Sequence, residues 1–302
     1  MATESTERRE GFGLIHIVEP QAGHAHTHTA ILLHGRGSTG EEFAEELFGT
    51  ELSDAQVPTL NDRLPTWRWV FPSSPSTWNA TFEEWMPAWF EAHSLTDPSL
   101  RQDLQQPGLQ ASVRHVEEIV AKETQILRDC GYENAKARLV LGGISLGGAV
   151  ALWTLLGTTK PEQPWGGFAV ASSWLPFVKQ IETYLIDPVT DPERGAAGVQ
   201  DDHIFFVQSM LLPLRHHLQH QKQGRQEASV LATPVFLGHG RDDAYVDIDL
   251  GRQVHQLLMG LGFNVIDWRE YDGAEQEGHW IKEPEEMDDL AQFLETVARR
   301  AQ

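Results

Sequence analysis

A serine within a run of glycines is the first feature that could do chemistry. Ser145 lies in LVLGGISLGGAVALW, residues 139–153, between two apolar runs. This pattern predicts a strand that turns sharply into a helix, with the serine on the turn. Such a turn requires very small residues two positions before and after the serine, and Gly143 and Gly147 occupy these positions. Ser145 is therefore a candidate nucleophile, although a structural turn with an incidental serine fits this motif equally well.

A second glycine-rich loop could provide part of an oxyanion hole. It lies in AILLHGRGSTG, residues 30–40, where another apolar run leads into glycines. An oxyanion hole needs two preorganised N–H donors, and the backbone N–H groups of Arg36 and Leu146 are the candidates. We expect the Arg36 side chain to point away from the reaction and His34 to make structural hydrogen bonds.

A serine hydroxyl needs a base to take its proton, and the base needs a carboxylate to orient it. In hydrolases of this sheet type the chain order is serine, acid, histidine. His279 is the only histidine in DGAEQEGHWI, which follows the last predicted strand, so it is the candidate base; a surface histidine in an acidic loop is the alternative. The preceding segment, HGRDDAYVDID, offers four candidate acids: Asp242, Asp243, Asp247 and Asp249.

The elements that would position these residues alternate between strands and helices. Apolar, β-rich runs predict strands at 12–18, 29–33, 68–72, 138–142, 167–172, 234–238 and 264–271. Helical periodicity predicts helices at 41–48, 112–130, 147–156, 250–260 and 284–300, the second ending at Gly131. This alternation indicates an α/β fold with a doubly wound, mostly parallel sheet that has helices on both faces.

The composition of the chain limits the classes of partner that the protein is expected to bind. The formal charge is −21, which argues against nucleic acid or an anionic membrane surface as the main partner. Cys130 is the one cysteine, so no intrachain disulfide can form, and its place at the end of a helical pattern predicts core packing. No apolar run reaches the length of a membrane span and no secretory signal is recognisable, so we expect a cytoplasmic protein without stable membrane insertion.

One segment departs from this alternation. Residues 178–230 combine a loop-like stretch with a helical pattern that Pro213 should interrupt, and they read as an insertion within a single domain spanning 1–302. Two placements are open: the apolar residues 204–207 and 210–212 could cap the active site as a lid, or they could pack on the side of the domain. The histidines of this segment, His216, His217 and His220, have no evident cysteine or carboxylate partner, so we expect no metal site.

The segments LLHGRGSTG, LGGISLGGA, GHGRDDAYV and GHW together resemble the four motif blocks of the acyl-protein thioesterases, within the phospholipase/carboxylesterase group of α/β-hydrolases. FPSSPSTWNATFEEWMPAWFE and ASSWLP resemble two further pieces of that family. The resemblance implies an α/β-hydrolase fold and a cofactor-independent serine hydrolase, with Ser145 as nucleophile and His279 as base. The family spacing HGxxDxxV implies Asp243 as the acid.

The resemblance also bears on the substrate. It implies that Trp85, Trp174 and Leu175 bind a fatty-acyl thioester or carboxylic ester, which places the protein in lipid metabolism. The chain departs from the family at Leu146, which usually is glutamine, at Arg36, which usually is leucine, and in the length of the 178–230 insertion. These departures leave open a carboxylesterase or lysophospholipase acting on a small-molecule or lipid ester. A hydrolase fold that only binds a ligand is the alternative of another class, and the oligomeric state stays undetermined.

Overall fold

The computed structural model describes residues 11–79, 83–94, 97–186, 202–222 and 229–301. At its centre is a seven-stranded sheet of order β1-β3-β2-β6-β7-β8-β9. Its strands are Ile15–Val18 (β1), His28–Leu33 (β2), Trp67–Pro72 (β3), Leu139–Ile144 (β6), Gly167–Ala171 (β7), Val235–Gly240 (β8) and Ile266–Tyr271 (β9). β1 runs antiparallel to β3, and the other pairs are parallel. The fold is thus the expected mostly parallel α/β sheet.

Helices cover both faces of this sheet. They are Gly40–Gly49 (α1), Leu60–Arg63 (α2), Gln102–Asp129 (α3), Ser145–Leu156 (α4), Val178–Leu185 (α5), Asp202–Lys222 (α6), Ile248–Leu261 (α7) and Glu285–Arg300 (α8). One buried apolar cluster lies between the sheet and α3 to α7, and a second lies between the sheet and α1, α2 and α8. The central strands β2, β6, β7 and β8 are buried along their whole length, which explains why they read as apolar runs without alternation.

A small hairpin that the sequence did not predict lies beside the loop that follows β2. Strands Ser76–Asn79 (β4) and Glu84–Pro87 (β5) pair antiparallel, with Trp78 opposite Trp85. The carbonyl oxygen of Pro87 accepts a hydrogen bond from the N–H of Gly37 at 2.8 Å. The hairpin therefore fixes the glycine-rich loop that follows β2.

Two local expectations were wrong. Cys130 is exposed rather than packed in the core, because it caps the end of α3 immediately before Gly131, whose φ is +96°. The helical pattern around Pro213 is not interrupted, since α6 runs through this residue. Tertiary packing of the apolar side of α6 outweighs the loss of one intrahelical hydrogen bond at proline.

Helix α6, within the 178–230 segment, packs on the larger apolar cluster. Phe206 of α6 is nearly buried, with its ring centroid 5.4 Å from that of Trp153 and 5.2 Å from that of Phe177. Trp153 lies near the C-terminal end of α4, two turns beyond Ser145 at its start. The apolar side of α6 thus packs against α4 and against Phe177, which precedes α5.

Candidate active site

Ser145 stands at the junction of β6 and α4 with a strained backbone. Its φ is +54°, in the left-handed region that side chains other than glycine seldom occupy, and the residue is 3% exposed. A Cβ at Gly143 would lie 2.6 Å from the carbonyl oxygen of Leu33, and one at Gly147 would overlap the same oxygen. These contacts explain why the turn needs glycines on both sides of the serine.

The candidate oxyanion donors belong to two segments that meet at Ser145. Leu146 is the second residue of α4, so its N–H has no partner within the helix. A Cβ at Gly35 would be 3.5 Å from the Cβ of Ser145, which places the loop carrying Arg36 against the serine. His34 anchors the start of this loop, because its Nε2 accepts a hydrogen bond from the N–H of Ser74 at 3.0 Å. Burial lowers the pKa of His34 to about 4, which keeps the ring neutral as this acceptor role requires.

His279 and Asp243 form the central contact of the site. The Nδ1–H of His279 donates to Oδ2 of Asp243 at 2.8 Å, and the carboxylate is fully buried. Its other oxygen accepts the N–H groups of Tyr245 and Val246, both at 2.9 Å. A proton held on Nδ1 leaves Nε2 of His279 with a lone pair, which is the form that a general base needs.

The other candidate acids have different partners. Asp242 is exposed and accepts the N–H of Gly273. The side chain of Asp247 caps α7 by accepting the N–H of Asp249 at 2.8 Å. Among the four aspartates that the sequence offered, Asp243 is the one hydrogen-bonded to His279.

The loop before His279 is held in an unusual conformation. Gln276, Glu277 and Gly278 all have positive φ values, of 51°, 57° and 83°. The N–H of His279 donates to the carbonyl oxygen of Gln276 at 3.1 Å, which closes this left-handed turn. A Cβ at Gly240 would overlap the carbonyl oxygen of Gly278, so the loop packs directly on the end of β8. The position of the histidine thus depends on close backbone contacts.

A second histidine lies beside the acid. Nε2 of His239 is 2.9 Å from the carbonyl oxygen of Val246 and 3.5 Å from Oδ2 of Asp243. Burial is the main cause that lowers the pKa of His239, so the ring is neutral near pH 7 and its Nε2–H donates to Val246. This contact ties the loop that carries Asp243 to the end of β8.

Ser145 and His279 line one open cleft of 440 Å³. Its wall is mixed, since Phe43, Ile144 and Trp280 are apolar whereas Arg36, Glu46 and Glu277 carry charges. Burial lowers the pKa of Arg36, and burial together with the neighbouring Glu42 raises the pKa of Glu46. Arg36, whose backbone N–H is a candidate oxyanion donor, is thus among the residues that line the cleft.

The residues expected to bind substrate are divided between different places. Trp174 and Leu175 are buried and line a separate cavity of 380 Å³ together with Phe177 and Val254. Trp85 packs edge to face against Trp78 on the hairpin, with ring centroids 5.8 Å apart. Neither Trp174 nor Leu175 is among the described residues that line the cleft with Ser145.

Tyr245 is a residue of the cleft that sequence reasoning missed. Its ring meets the ring of His279 edge to face at 5.4 Å, and 43% of the residue is exposed. The signal was available, because Tyr245 follows Asp243 by two residues on the loop that carries the acid.

Neither a metal site nor a membrane-spanning helix is found in the described ranges. No group of three or more His, Cys, Asp or Glu side chains there is arranged to hold a metal ion. None of the helices in those ranges has both the length and the apolar character needed to cross a bilayer.

Comparison with known proteins points to one family. The model of the phospholipase/carboxylesterase family matches residues 15–187, a range that includes Arg36 and Ser145 and ends before Asp243. Acyl-protein thioesterase 1 of Mycosarcoma maydis is 31% identical over 289 residues, which cover 93% of this chain and 95% of that protein. Acyl-protein thioesterase 1 of Candida albicans is 26% identical over 285 residues, covering 93% and 96%.

Solved structures share the fold. The crystal structure of Zea mays acyl-protein thioesterase 2 is similar with a TM-score of 0.63 at 21% identity, over 95% of this chain and 99% of that one. Esterase PE8 is similar with a TM-score of 0.55 at 20% identity, over 93% and 97%.

Proposed function

The chain belongs to the phospholipase/carboxylesterase family of α/β-hydrolases and is an esterase or thioesterase, and from this premise we propose that Ser145, His279 and Asp243 act as its catalytic triad. The observation that carries the proposal is the 2.8 Å contact between Nδ1 of His279 and the buried carboxylate of Asp243, at a cleft that Ser145 also lines. The strained backbone of Ser145 and the close approach of the Gly35 loop support the same assignment.

The reaction would proceed through an acyl-enzyme. Nε2 of His279 takes the hydroxyl proton as Oγ of Ser145 attacks the acyl carbonyl carbon, and Asp243 stabilises the imidazolium that forms. The N–H groups of Arg36 and Leu146 donate to the oxyanion. His279 then gives its proton to the departing thiol or alcohol, and water releases the acid from Ser145 by the same sequence of steps.

Two neighbouring aspartates allow a matched test of this triad. Asp243→Asn keeps the shape of the acid but favours the wrong tautomer of His279, so we expect kcat to fall on the order of 10⁴-fold. Asp242→Asn makes the same chemical change one residue earlier, at an exposed side chain, and should change kcat by only a few-fold.

The readout is hydrolysis of p-nitrophenyl acetate together with fluorophosphonate labelling, with circular dichroism to confirm folding. Ser145→Ala should abolish both turnover and labelling. Equal losses in the two aspartate variants, or labelling that survives in Ser145→Ala, would refute the assignment.

For the substrate, we propose acyl thioesters of proteins, as the names of the related acyl-protein thioesterases suggest. The cavity lined by Trp174 and Leu175 is the candidate site for the acyl chain, and Trp85 on the β4–β5 hairpin is a further candidate contact for the substrate. Hydrolysis of a short or polar ester is the second candidate, and the charged lining of the cleft at Arg36 and Glu46 favours it.

Kinetics on wild-type protein separate these two candidates. The substrates are a palmitoyl-cysteine peptide and p-nitrophenyl esters of two to sixteen carbons. A higher kcat/KM on the long thioester supports the protein thioesterase, whereas a preference for short oxyesters supports the carboxylesterase.

We also propose that residues 1–302 form one domain with 178–230 as an insertion. Contacts of α6 with Trp153 and Phe177 support this view, since they join the described part of the insertion to the main apolar cluster.

A further inference from the structure

Tyr245 presents an exposed aromatic ring at the cleft that Ser145 and His279 line. The residue is 43% exposed, and its ring meets the ring of His279 edge to face, with the two centroids 5.4 Å apart. The phenyl ring of Phe43 and the indole of Trp280, which are among the described residues lining the same cleft, are buried. Tyr245 therefore offers apolar ring surface that a bound substrate can cover.

The backbone of Tyr245 is held by the carboxylate that also orients His279. Oδ1 of Asp243 accepts the N–H of Tyr245 at 2.9 Å, while Oδ2 accepts Nδ1–H of His279 at 2.8 Å. The N–H of Ala244 donates to the carbonyl oxygen of Glu277 at 3.1 Å, which joins the loop of the acid to the loop of the histidine. The base of the Tyr245 side chain is thus preorganised beside the histidine, and preorganisation lowers the cost of binding a ligand.

A place beside His279 is a place beside the leaving group of the substrate. In the proposed mechanism Nε2 of His279 gives its proton to the departing alcohol or thiol, because Nδ1 is bonded to Asp243. The two atoms of such a proton transfer are about 2.6–3.2 Å apart, so the departing oxygen or sulfur lies next to the imidazole. An aromatic ring one or two carbons from that atom can then reach the ring of Tyr245, since aromatic pairs interact at centroid separations of about 4.5–7 Å.

The acyl chain has a different candidate site. Trp174 and Leu175 line the cavity proposed for it, and Tyr245 is not among the described residues of that lining. The part of the substrate that remains for the surface of Tyr245 is therefore the alcohol or thiol.

From this arrangement we propose that Tyr245 is a specificity residue for the leaving group, which makes the cleft selective for esters or thioesters of alcohols or thiols that carry an aromatic ring close to the reacting oxygen or sulfur. The proposal rests on the proposed function, because selectivity can appear in turnover only if Ser145 is the nucleophile of this cleft. It narrows the second candidate activity, hydrolysis of a short ester, to esters of aryl-substituted alcohols or thiols.

Two isomeric esters test on which side of the scissile bond the ring is recognised. Benzyl acetate carries its phenyl ring in the leaving group, whereas methyl phenylacetate carries it in the acyl group. Methyl acetate is the reference for both, and benzyl alcohol and methanol have nearly equal acidity. The quantity measured is the ratio of kcat/KM for each phenyl ester to that for methyl acetate. Any effect of a substitution on His279 itself cancels in this ratio.

Three proteins are compared, namely wild type, Tyr245→Phe and Tyr245→Ala, with circular dichroism to confirm folding. The interaction of two aromatic rings corresponds to about 2- to 10-fold in kcat/KM. We therefore expect Tyr245→Ala to lower the benzyl acetate ratio by that factor and to leave the methyl phenylacetate ratio unchanged. Tyr245→Phe keeps the ring and should retain the benzyl acetate ratio of wild type.

A benzyl acetate ratio that stays the same in Tyr245→Ala would overturn the proposal. Equal falls of both ratios would overturn it too, because the contact would then not be specific to the leaving group. Loss of the proposed function has a different signature, namely hydrolysis of methyl acetate that survives in Ser145→Ala.

Discussion

Replacing Glu286 with glutamine should make the stability of the protein much less dependent on pH. Glu286 lies in the first turn of α8 and is 2% exposed. One carboxyl oxygen accepts the N–H of Lys282 at 2.8 Å, and the other has no hydrogen-bond partner among the described residues. This second oxygen faces Gly238, and Glu286 lines a small apolar cavity between the sheet and helices α1, α2 and α8. Burial, as the largest cause, raises the pKa of Glu286 to about 8.

The sign of the effect follows from proton binding. Between the pKa of an unfolded glutamate, about 4.3, and the folded value, the folded state holds more protons than the unfolded state. The free energy of unfolding therefore falls as pH rises through this window, by up to about 1.4 kcal/mol per pH unit. This contribution is fully present below the unfolded pKa and is lost above the folded one. Accumulated to pH 7, the loss is on the order of 3 kcal/mol.

Glutamine stays neutral at every pH and can still accept the N–H of Lys282 through its carbonyl oxygen. We expect Glu286→Gln to match wild type near pH 4 and to be more stable by about 3 kcal/mol at pH 7. Urea unfolding followed by tryptophan fluorescence at pH 4 to 9 measures this difference. The control is Glu285→Gln, which makes the same substitution at an exposed neighbour. A difference between Glu286→Gln and wild type that stays constant from pH 5 to 8 would refute the reasoning.

Two further substitutions test packing, one next to the candidate site and one at the contact between α6 and α4. In Gly240→Ala the added Cβ overlaps the carbonyl oxygen of Gly278, so it should displace the loop that carries His279 and lower kcat/KM on p-nitrophenyl acetate by at least about tenfold. The control is Gly49→Ala, where an added Cβ meets nothing, and it should leave kcat/KM unchanged. Equal effects of the two substitutions would contradict the role of the close contact. Phe206→Ala should lower the free energy of unfolding by about 3 kcal/mol while sparing turnover of this short ester, because its ring packs on the flank of the domain. The control in urea unfolding is Phe205→Ala, at a residue that is 54% exposed, and a similar loss there would argue against the packing role of Phe206.

The sheet and its covering helices follow closely from the sequence, because continuous apolar runs and turn residues are local signals. All seven predicted strands of the main sheet are present. α3 begins at Gln102, ten residues before the predicted start, because Pro107 and Gly108 obscured its first turns. Gly108 sits where a Cβ would be 2.8 Å from the Cα of Phe90. Packing between distant segments determines where α3 begins, and such packing leaves little trace in the local periodicity of the sequence.

The candidate site, like the fold, was predictable only where the signal is local in the chain. The strand-to-helix turn at Ser145 was predictable because its glycines are adjacent in the chain. The residues alone left four aspartates as candidates for the acid, because the contact between Asp243 and His279 joins two residues that are 36 positions apart in the chain.

The segment between β7 and β8 has a consequence for protein engineering. It leaves the sheet after Ala171 and returns at Val235, into a strand that pairs with the one it left. Because the sheet fixes both ends, the entropy of closing this connection grows only slowly with its length. The described helix α6 contacts Trp153 near the C-terminal end of α4, two turns beyond Ser145. A foreign module, such as a fluorescent reporter, could therefore be grafted into this connection while the sheet keeps Ser145, Asp243 and His279 in place.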